Sequence, residues 1–227
     1  VNFVEGEVLL FDKPYKWTSF DLVRKVRGLV KHKLELPKIK VGHAGTLDPL
    51  ASGLMIVCVG KATKQIDSFL GQDKEYIAEI LLGKTTPSFD LEKEFDAEYP
   101  IDHITRELFE DTLKKFLGES EQIPPIFSAK FIDGKRAYEY ARKGTEVEMK
   151  PARVNISSIE LMAWNFPEVT IRVRCSKGTY IRSLVRDIGE SLQSGATLIA
   201  LQRTSIGPYL LDNAMSIEEF ENKLALL

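Results

Sequence analysis

The sequence predicts an α+β fold, with a mixed, mainly antiparallel central sheet flanked by helices and loops. Stretches of strand character outnumber helical ones, and the two do not alternate in the strict order that builds a parallel sheet. Residues 154–163 and 169–175 are two such strands with a short connection between them, which suits an antiparallel pair. The 227 residues are 44% hydrophobic, ample for a sizeable core in one large domain or a domain with a small appendage, and no obvious interdomain linker interrupts 1–227.

Taken in order, residues 7–11 read as a strand running into Asp12-Lys13-Pro14. Thr18 or Ser19 caps a helix that carries Phe20, Val23, Val26, Leu29 and Val30. A loop from Gly42 to Gly53 follows, punctuated by Gly45. The uninterrupted apolar run 54–59, bounded by Gly53 and Gly60, then predicts a strand buried on both faces. Residues 62–69 suggest a short helix. In 74–82, Tyr76, Ala78, Ile80 and Leu82 fall on one face of a pleat. Leu108, Phe109, Leu113, Phe116 and Leu117 give 105–117 an amphipathic helical stripe that Gly118 ends.

Pro124-Pro125 keeps 122–129 out of any helix interior, and 136–143 reads as a helical turn or two closed by Gly144. The whole segment 122–144 is expected to be a surface excursion, with Lys130, Lys135, Arg136, Arg142 and Lys143 on it. Residues 179–193 form a helix with Ile181, Leu184, Val185, Ile188 and Leu192 on its apolar face. A last strand near 198–206 precedes a helix whose Ser216 and Glu219 make a capping box.

The formal charge of −2 argues against a globally basic nucleic-acid binder, but the charge is unevenly spread. Arg24, Lys25, Arg27, Lys31, Lys33, Lys38 and Lys40 stand against Glu35 alone. Arg172, Arg174, Lys177, Arg182 and Arg186 stand against Asp187 alone. A fold that gathers such stretches offers phosphates a local cationic surface despite the acidic total. No apolar run is long enough to span a bilayer and no signal-peptide pattern opens the chain, so a cytoplasmic protein without a membrane partner is expected. Cys58 and Cys175 lack a CxxC, and His32, His43 and His103 lack ligand spacing; no metal is expected.

Asp48 is the leading candidate for chemistry. Pro49 pushes it out of the helical region into an extended conformation, and the loop glycines allow close backbone approach around it. A carboxylate used this way needs a partner that keeps it ionised and oriented, and Arg182 is the candidate. It stands near the start of a helix, where a cation opposes the macrodipole unless an anion meets it. The run from Ala78 to Thr85 satisfies a permissive phosphate-loop pattern. Glu79-Ile80-Leu81-Leu82 is strand-forming and begins with a carboxylate, so a nucleotide-hydrolase reading is only a minor alternative.

Several motifs in register carry a resemblance. They are Asp12-Lys13-Pro14 with Thr18-Ser19, the Gly42 to Gly53 loop, Gly60-Lys61-Ala62-Thr63-Lys64 and Lys74-x-Tyr76. Further along come Gln122-x-Pro124-Pro125-x-Phe127-Ser128-Ala129, Gly134-Lys135-Arg136-Ala137-Tyr138-Glu139, Gly178-Thr179-Tyr180-Ile181-Arg182 and Leu201-x-Arg203-Thr204. Their order and spacing, over nearly the whole chain, resemble the TruB-type tRNA pseudouridine synthases.

That resemblance implies a pseudouridine synthase fold and the isomerisation of a uridine in RNA, at position 55 in the TΨC stem-loop of tRNA, with no cofactor and no metal. It makes Asp48 the catalytic carboxylate, which either attacks the ribose anomeric carbon or removes a ribose proton. Tyr76 packs on the target base and is placed to take the ring-carbon proton. Arg182 pairs with Asp48, and Tyr180 and Leu201 line the pocket. His43 stacks into the space left by a flipped nucleotide. Lys13, Lys61 and Lys64 contact phosphates, Asp90 is counted with the substrate-binding residues, and Lys130 and Arg136 belong to 122–144 as an RNA-clamping insertion.

The chain departs from the pattern in three places. Thr86-Pro87-Ser88-Phe89-Asp90 only roughly matches Thr-Asp-Thr-x-Asp, and Gln202 stands where an arginine is common. No PUA domain is expected after the last helix, which predicts weaker acceptor-stem contacts. A monomer that needs no guide RNA is expected. The guide-dependent branch of the class and a non-catalytic RNA chaperone are the competing readings.

Overall fold

The computed structural model describes residues 2–128, 131–132, 134–142 and 149–226. In chain order the elements are β1 (Glu7–Lys13), α1 (Ser19–Lys33), β2 (Val41–His43), β3 (Ala51–Val59), α2 (Ile66–Leu70), β4 (Lys74–Leu82), β5 (Lys84–Thr85), β6 (Ala97–Glu98), α3 (Arg106–Lys114), β7 (Gly118–Gln122), β8 (Phe131–Ile132), β9 (Lys135–Arg136), α4 (Ala137–Arg142), β10 (Ala152–Asn165), β11 (Glu168–Cys175), α5 (Ile181–Ser191), β12 (Ala196–Ile206), β13 (Tyr209–Leu210) and α6 (Ile217–Ala225). The chain divides into two compact units. The first comprises 1–76 and 201–227 and the second 77–200. Among the described residues, no helix is long and apolar enough to cross a membrane.

In the first unit β3 is the central strand. β1 pairs with it antiparallel along its length, from Glu7 opposite Val59 to Lys13 opposite Gly53. Its remaining pairings are divided between two strands. β2 lies antiparallel to Val57–Val59, and the Leu201–Arg203 stretch of β12 lies parallel to Ala51–Gly53. Leu54, Ile56 and Cys58 are wholly buried and pack with Ala62, Phe69 and Ile206, as expected of a strand covered on both faces. The predicted helix at 62–69 is a 3₁₀ segment, Gly60–Gln65, that continues into α2.

Helix α1 begins at a full capping box between Thr18 and Asp21, and α6 at one between Ser216 and Glu219. The buried face of α1 differs from the expected one. Leu22 is wholly buried, whereas Phe20 is 60% exposed. Leu22, Val26 and Val30 form a continuous i, i+4, i+8 ridge, and Phe20 lies off it.

In the second unit the strand order is β4-β11-β10-β7, and β10 is antiparallel to both β11 and β7. The alternation in β4 holds, with Tyr76, Ala78, Ile80 and Leu82 buried. The phosphate-loop look-alike is therefore ordinary strand. Helix α3 is shorter than its pattern, ending at Lys114, and Leu108 and Leu117 are exposed. On α5 every residue of the predicted apolar face is buried.

Candidate active site

Asp48 sits in the connection from β2 to β3, at the point where β12 replaces β2 beside β3. The loop is held by hydrogen bonds on both sides of Asp48. The Ser19 hydroxyl, at the start of α1, accepts from the Leu47 N–H (2.9 Å) and donates to the Leu47 carbonyl (3.1 Å). Ala51 N–H donates to the Asp48 carbonyl at 3.0 Å, and Lys16 N–H to the Pro49 carbonyl at 2.8 Å. The residue before Asp48 and the two carbonyls that follow are thus all held, and its half-buried side chain starts from an anchored backbone.

Arg203 braces this loop from β12. It is 1% exposed, and its Nε donates to the Leu54 carbonyl at 2.8 Å while Nη2 donates to the Gly45 carbonyl at 3.1 Å. Gly53 is required where the strands meet. Its φ is +105°, and a Cβ there would collide with the backbone of Arg203.

Lys13 is not the surface phosphate contact expected of it. It is wholly buried at the end of β1, and its ammonium donates to the carbonyls of Pro14 (3.0 Å) and Trp17 (2.6 Å). Burial pulls its pKa from 10.5 down to about 8; attraction to Asp48 works against that, and Arg203 adds to it. A desolvated cation cannot also neutralise a backbone phosphate in water. Lys13 is instead an internal cation held by two backbone carbonyls, with attraction to Asp48 helping to keep it charged.

The sign of the stability effect follows. Between pH 8 and 10.5 the unfolded chain keeps this proton while the folded chain has lost it, so stability rises with pH through that window. Relative to Lys13→Met, the wild type is expected to gain up to about 3 kcal/mol from pH 8 to 10.5, read from urea midpoints. A flat difference across that range would put the ammonium in water.

The other expected residues of this unit lie as follows. His43 closes β2, and burial, with Arg203 acting in the same direction, lowers its pKa, which favours the neutral imidazole. Leu201 pairs with Ala51, three residues beyond Asp48. Tyr76 is buried on β4. Lys61 is exposed, and its ammonium is tied to both Glu5 carboxylate oxygens at 2.8 and 2.7 Å. Lys64 is exposed.

The second unit holds Arg182, which is 3% exposed and not a surface arginine. Its Nη1 donates to the Ser88 carbonyl (3.3 Å) and its Nη2 to the Phe127 carbonyl (2.9 Å), and Nε lies 3.7 Å from Asp90 Oδ2. Asp90 is therefore placed differently from a substrate contact. It is buried beside Arg182, and its backbone carbonyl accepts from Thr86 and Ser88.

Tyr180 is the N-cap of α5 but offers no side-chain cap. Buried Gln122 takes over, accepting from Tyr180 N–H at 2.8 Å and donating to its carbonyl at 3.1 Å. Ser183 adds a bond to the Ile123 carbonyl. The first part of the expected excursion, 122–128, is consequently docked on α5. Lys130 lies outside the described residues, and Arg136 is described by its backbone in β9 alone.

Ser19, Arg203 and Gln122 were not picked out from sequence as site residues. Each stands in a quoted motif, and a lone arginine in an apolar strand such as 198–206 was the available signal for Arg203.

The fold is that of the pseudouridine synthases. It superimposes with a TM-score of 0.73, at 28% identity, on a chain of a solved Cbf5-Nop10-Gar1 complex, covering 97% of this chain and 54% of that one. It superimposes with a TM-score of 0.69, at 26% identity, on a chain of an H/ACA RNP bound to a substrate RNA containing 2'-deoxyuridine, covering 97% of this chain and 54% of that one. The chain thus spans about half the length of these solved chains.

Residues 31–181 match the TruB family pseudouridylate synthase (N terminal domain), and 182–227 match the tRNA pseudouridylate synthase B C-terminal domain. The chain belongs to the TruB family. It is 61% identical to the tRNA pseudouridine synthase B of Phocaeicola vulgatus, over 97% of this chain and 94% of that protein. It is 50% identical to the enzyme of the same name from Flavobacterium johnsoniae, over 98% of each.

Proposed function

We propose that this chain converts uridine 55 in the TΨC arm of tRNA to pseudouridine, as a cytoplasmic monomer without guide RNA or cofactor, with Asp48 as the catalytic carboxylate. The observation that carries the reading is the Asp48 loop, anchored by Ser19, Arg203 and Lys16 around one half-buried carboxylate, in a chain of the TruB family. Such anchoring leaves little motion to be frozen out when substrate arrives.

The reaction is an isomerisation, and its atoms balance within one nucleotide. The glycosidic C–N bond breaks, the uracil turns, a C–C bond forms to the same ribose, and the ring carbon loses its proton while the freed nitrogen gains one. Asp48 serves equally as nucleophile at the anomeric carbon or as base towards the ribose, and both routes need it fixed beside the sugar. Arg182 pairs with Asp48 in this reading, held ready by Ser88, Phe127 and Asp90. Tyr76 packs on the base and takes the ring-carbon proton, with Tyr180 and Leu201 as pocket walls.

Extruding the nucleotide costs a few kcal/mol, which stacking by the uncharged His43 ring in the vacated place helps to offset. Lys64 reaches phosphate directly, whereas Lys61 must first leave Glu5. Lys130 and Arg136 clamp the arm.

The test incubates purified protein with unmodified tRNA, without guide RNA or nucleotide, and maps pseudouridine by position. One new pseudouridine, in the TΨC arm, is expected. No product, or product only when a guide RNA is added, overturns the reading.

A further inference from the structure

We infer that a cationic groove between α1 and the connection to β2 is a second RNA contact, which grips the sugar–phosphate backbone a few nucleotides from the flipped uridine. This rests on the tRNA reading above. Arg27 and Lys31 come from α1, Lys38 and Lys40 from the connection, and Thr63 and Ile66 from the turn and helix after β3; together they bound a groove of about 570 Å³, open to solvent, with no carboxylate in its lining.

The arrangement is costly unless an anion fills it. Four like charges repel one another, and none of them makes a salt bridge among the described residues. On the same helix Arg24 is bridged to Asp21 and Lys25 to Glu221. Arg24 and Lys25, which have acidic partners, thus lie outside the groove, and the four cations that line it have none among the described residues.

The frame is rigid where it matters. Arg27 Nη2 donates to the Val41 carbonyl at 3.0 Å, and Gly60 N–H donates to the Lys40 carbonyl at 2.8 Å. Ile66 supplies an apolar surface for ribose between the charges. An open trough fits a polymer that runs through it better than a small anion, which needs enclosure.

The position favours the same RNA that meets Asp48. Lys40 leads directly into β2, whose three residues span ~10 Å before the catalytic loop begins. An RNA strand covers that distance in a few nucleotides.

The test replaces the three exposed lysines together, Lys31→Ala, Lys38→Ala and Lys40→Ala, and leaves Arg27, which is tied into the fold. The slope of log Kd for tRNA against log salt is expected to shrink by about 2, because each lost phosphate contact releases fewer counterions. KM should rise at least tenfold at moderate salt while kcat at saturating tRNA is kept. The three Lys→Arg replacements should restore both slope and KM, and Lys114→Ala, an exposed lysine of α3, should change neither.

An unchanged slope and KM in the triple variant overturns the groove, and so does a fall in kcat alone. If the wild type makes pseudouridine, the tRNA reading stands even when the groove falls. If the wild type makes none, that reading itself has failed.

Discussion

Asp48→Asn is expected to bind tRNA within about threefold of wild type and to form pseudouridine at least ~10³-fold more slowly. The amide keeps the shape of the carboxylate, and the loop around it depends on backbone groups and on Ser19 and Arg203, so the binding surface survives. What is lost is the negative charge, and both chemical routes require it.

A second consequence separates this result from misfolding. Attraction to Asp48 helps to keep buried Lys13 charged, and Arg203 opposes it. With asparagine at 48, burial and Arg203 act unopposed by that attraction, so the Lys13 pKa moves below about 8. The alkaline rise in stability then begins at lower pH, which urea midpoints across pH detect. Single-turnover assays with enzyme in excess measure the rate. Product at the wild-type rate would remove Asp48 from the mechanism.

The second large effect is expected at a residue that touches no substrate. Arg203→Met fills much the same space but donates nothing, so the carbonyls of Leu54 and Gly45 lose their partner in the interior. Each stranded group costs about 1–3 kcal/mol, and a combined loss of roughly 3 kcal/mol is expected from urea unfolding.

Stability alone does not define the role. Gly45 lies in the Asp48 loop, and releasing it lets the carboxylate drift; displacements of about 1 Å cost ~10²-fold in rate. Below the unfolding midpoint, kcat should therefore fall by about that factor with little change in KM. Arg203→Lys keeps the charge but not the two-point fork, and an intermediate kcat is expected. A folded Arg203→Met enzyme with wild-type kcat would reduce Arg203 to ordinary packing.

Legibility from sequence differed sharply between these two residues. Asp48 stood out because glycine and proline mark unusual backbone, and those signals act within a residue or two. The cap of α1, the capping box of α6 and the apolar face of α5 were readable for the same reason, as patterns a few residues long. β7 was missed because Gly118–Gln122 is a polar strand that pairs through its backbone with Ala152–Ile156, and backbone pairing leaves no mark on composition.

The burial of Arg203 and of Lys13 was not legible for a different reason. A cation belongs in water by default, and its burial depends on acceptors supplied from elsewhere. For Arg203 the Leu54 carbonyl is 149 residues away in sequence. Gln122 likewise reaches 58 residues to cap α5, and Asp90 moves from a supposed RNA contact to the neighbour of Arg182, whose helix lies far along the chain.

Read alone, the amino-acid order was enough for the longer apolar strands, the capped helices, the family pattern and the choice of Asp48 as candidate, because each is written in neighbouring residues. Which cations lie inside, what anchors that acid, and which lysines share a groove without a counter-charge were settled by folding. Desolvation and hydrogen-bond satisfaction are properties of a side chain's surroundings, and those surroundings come from distant parts of the chain.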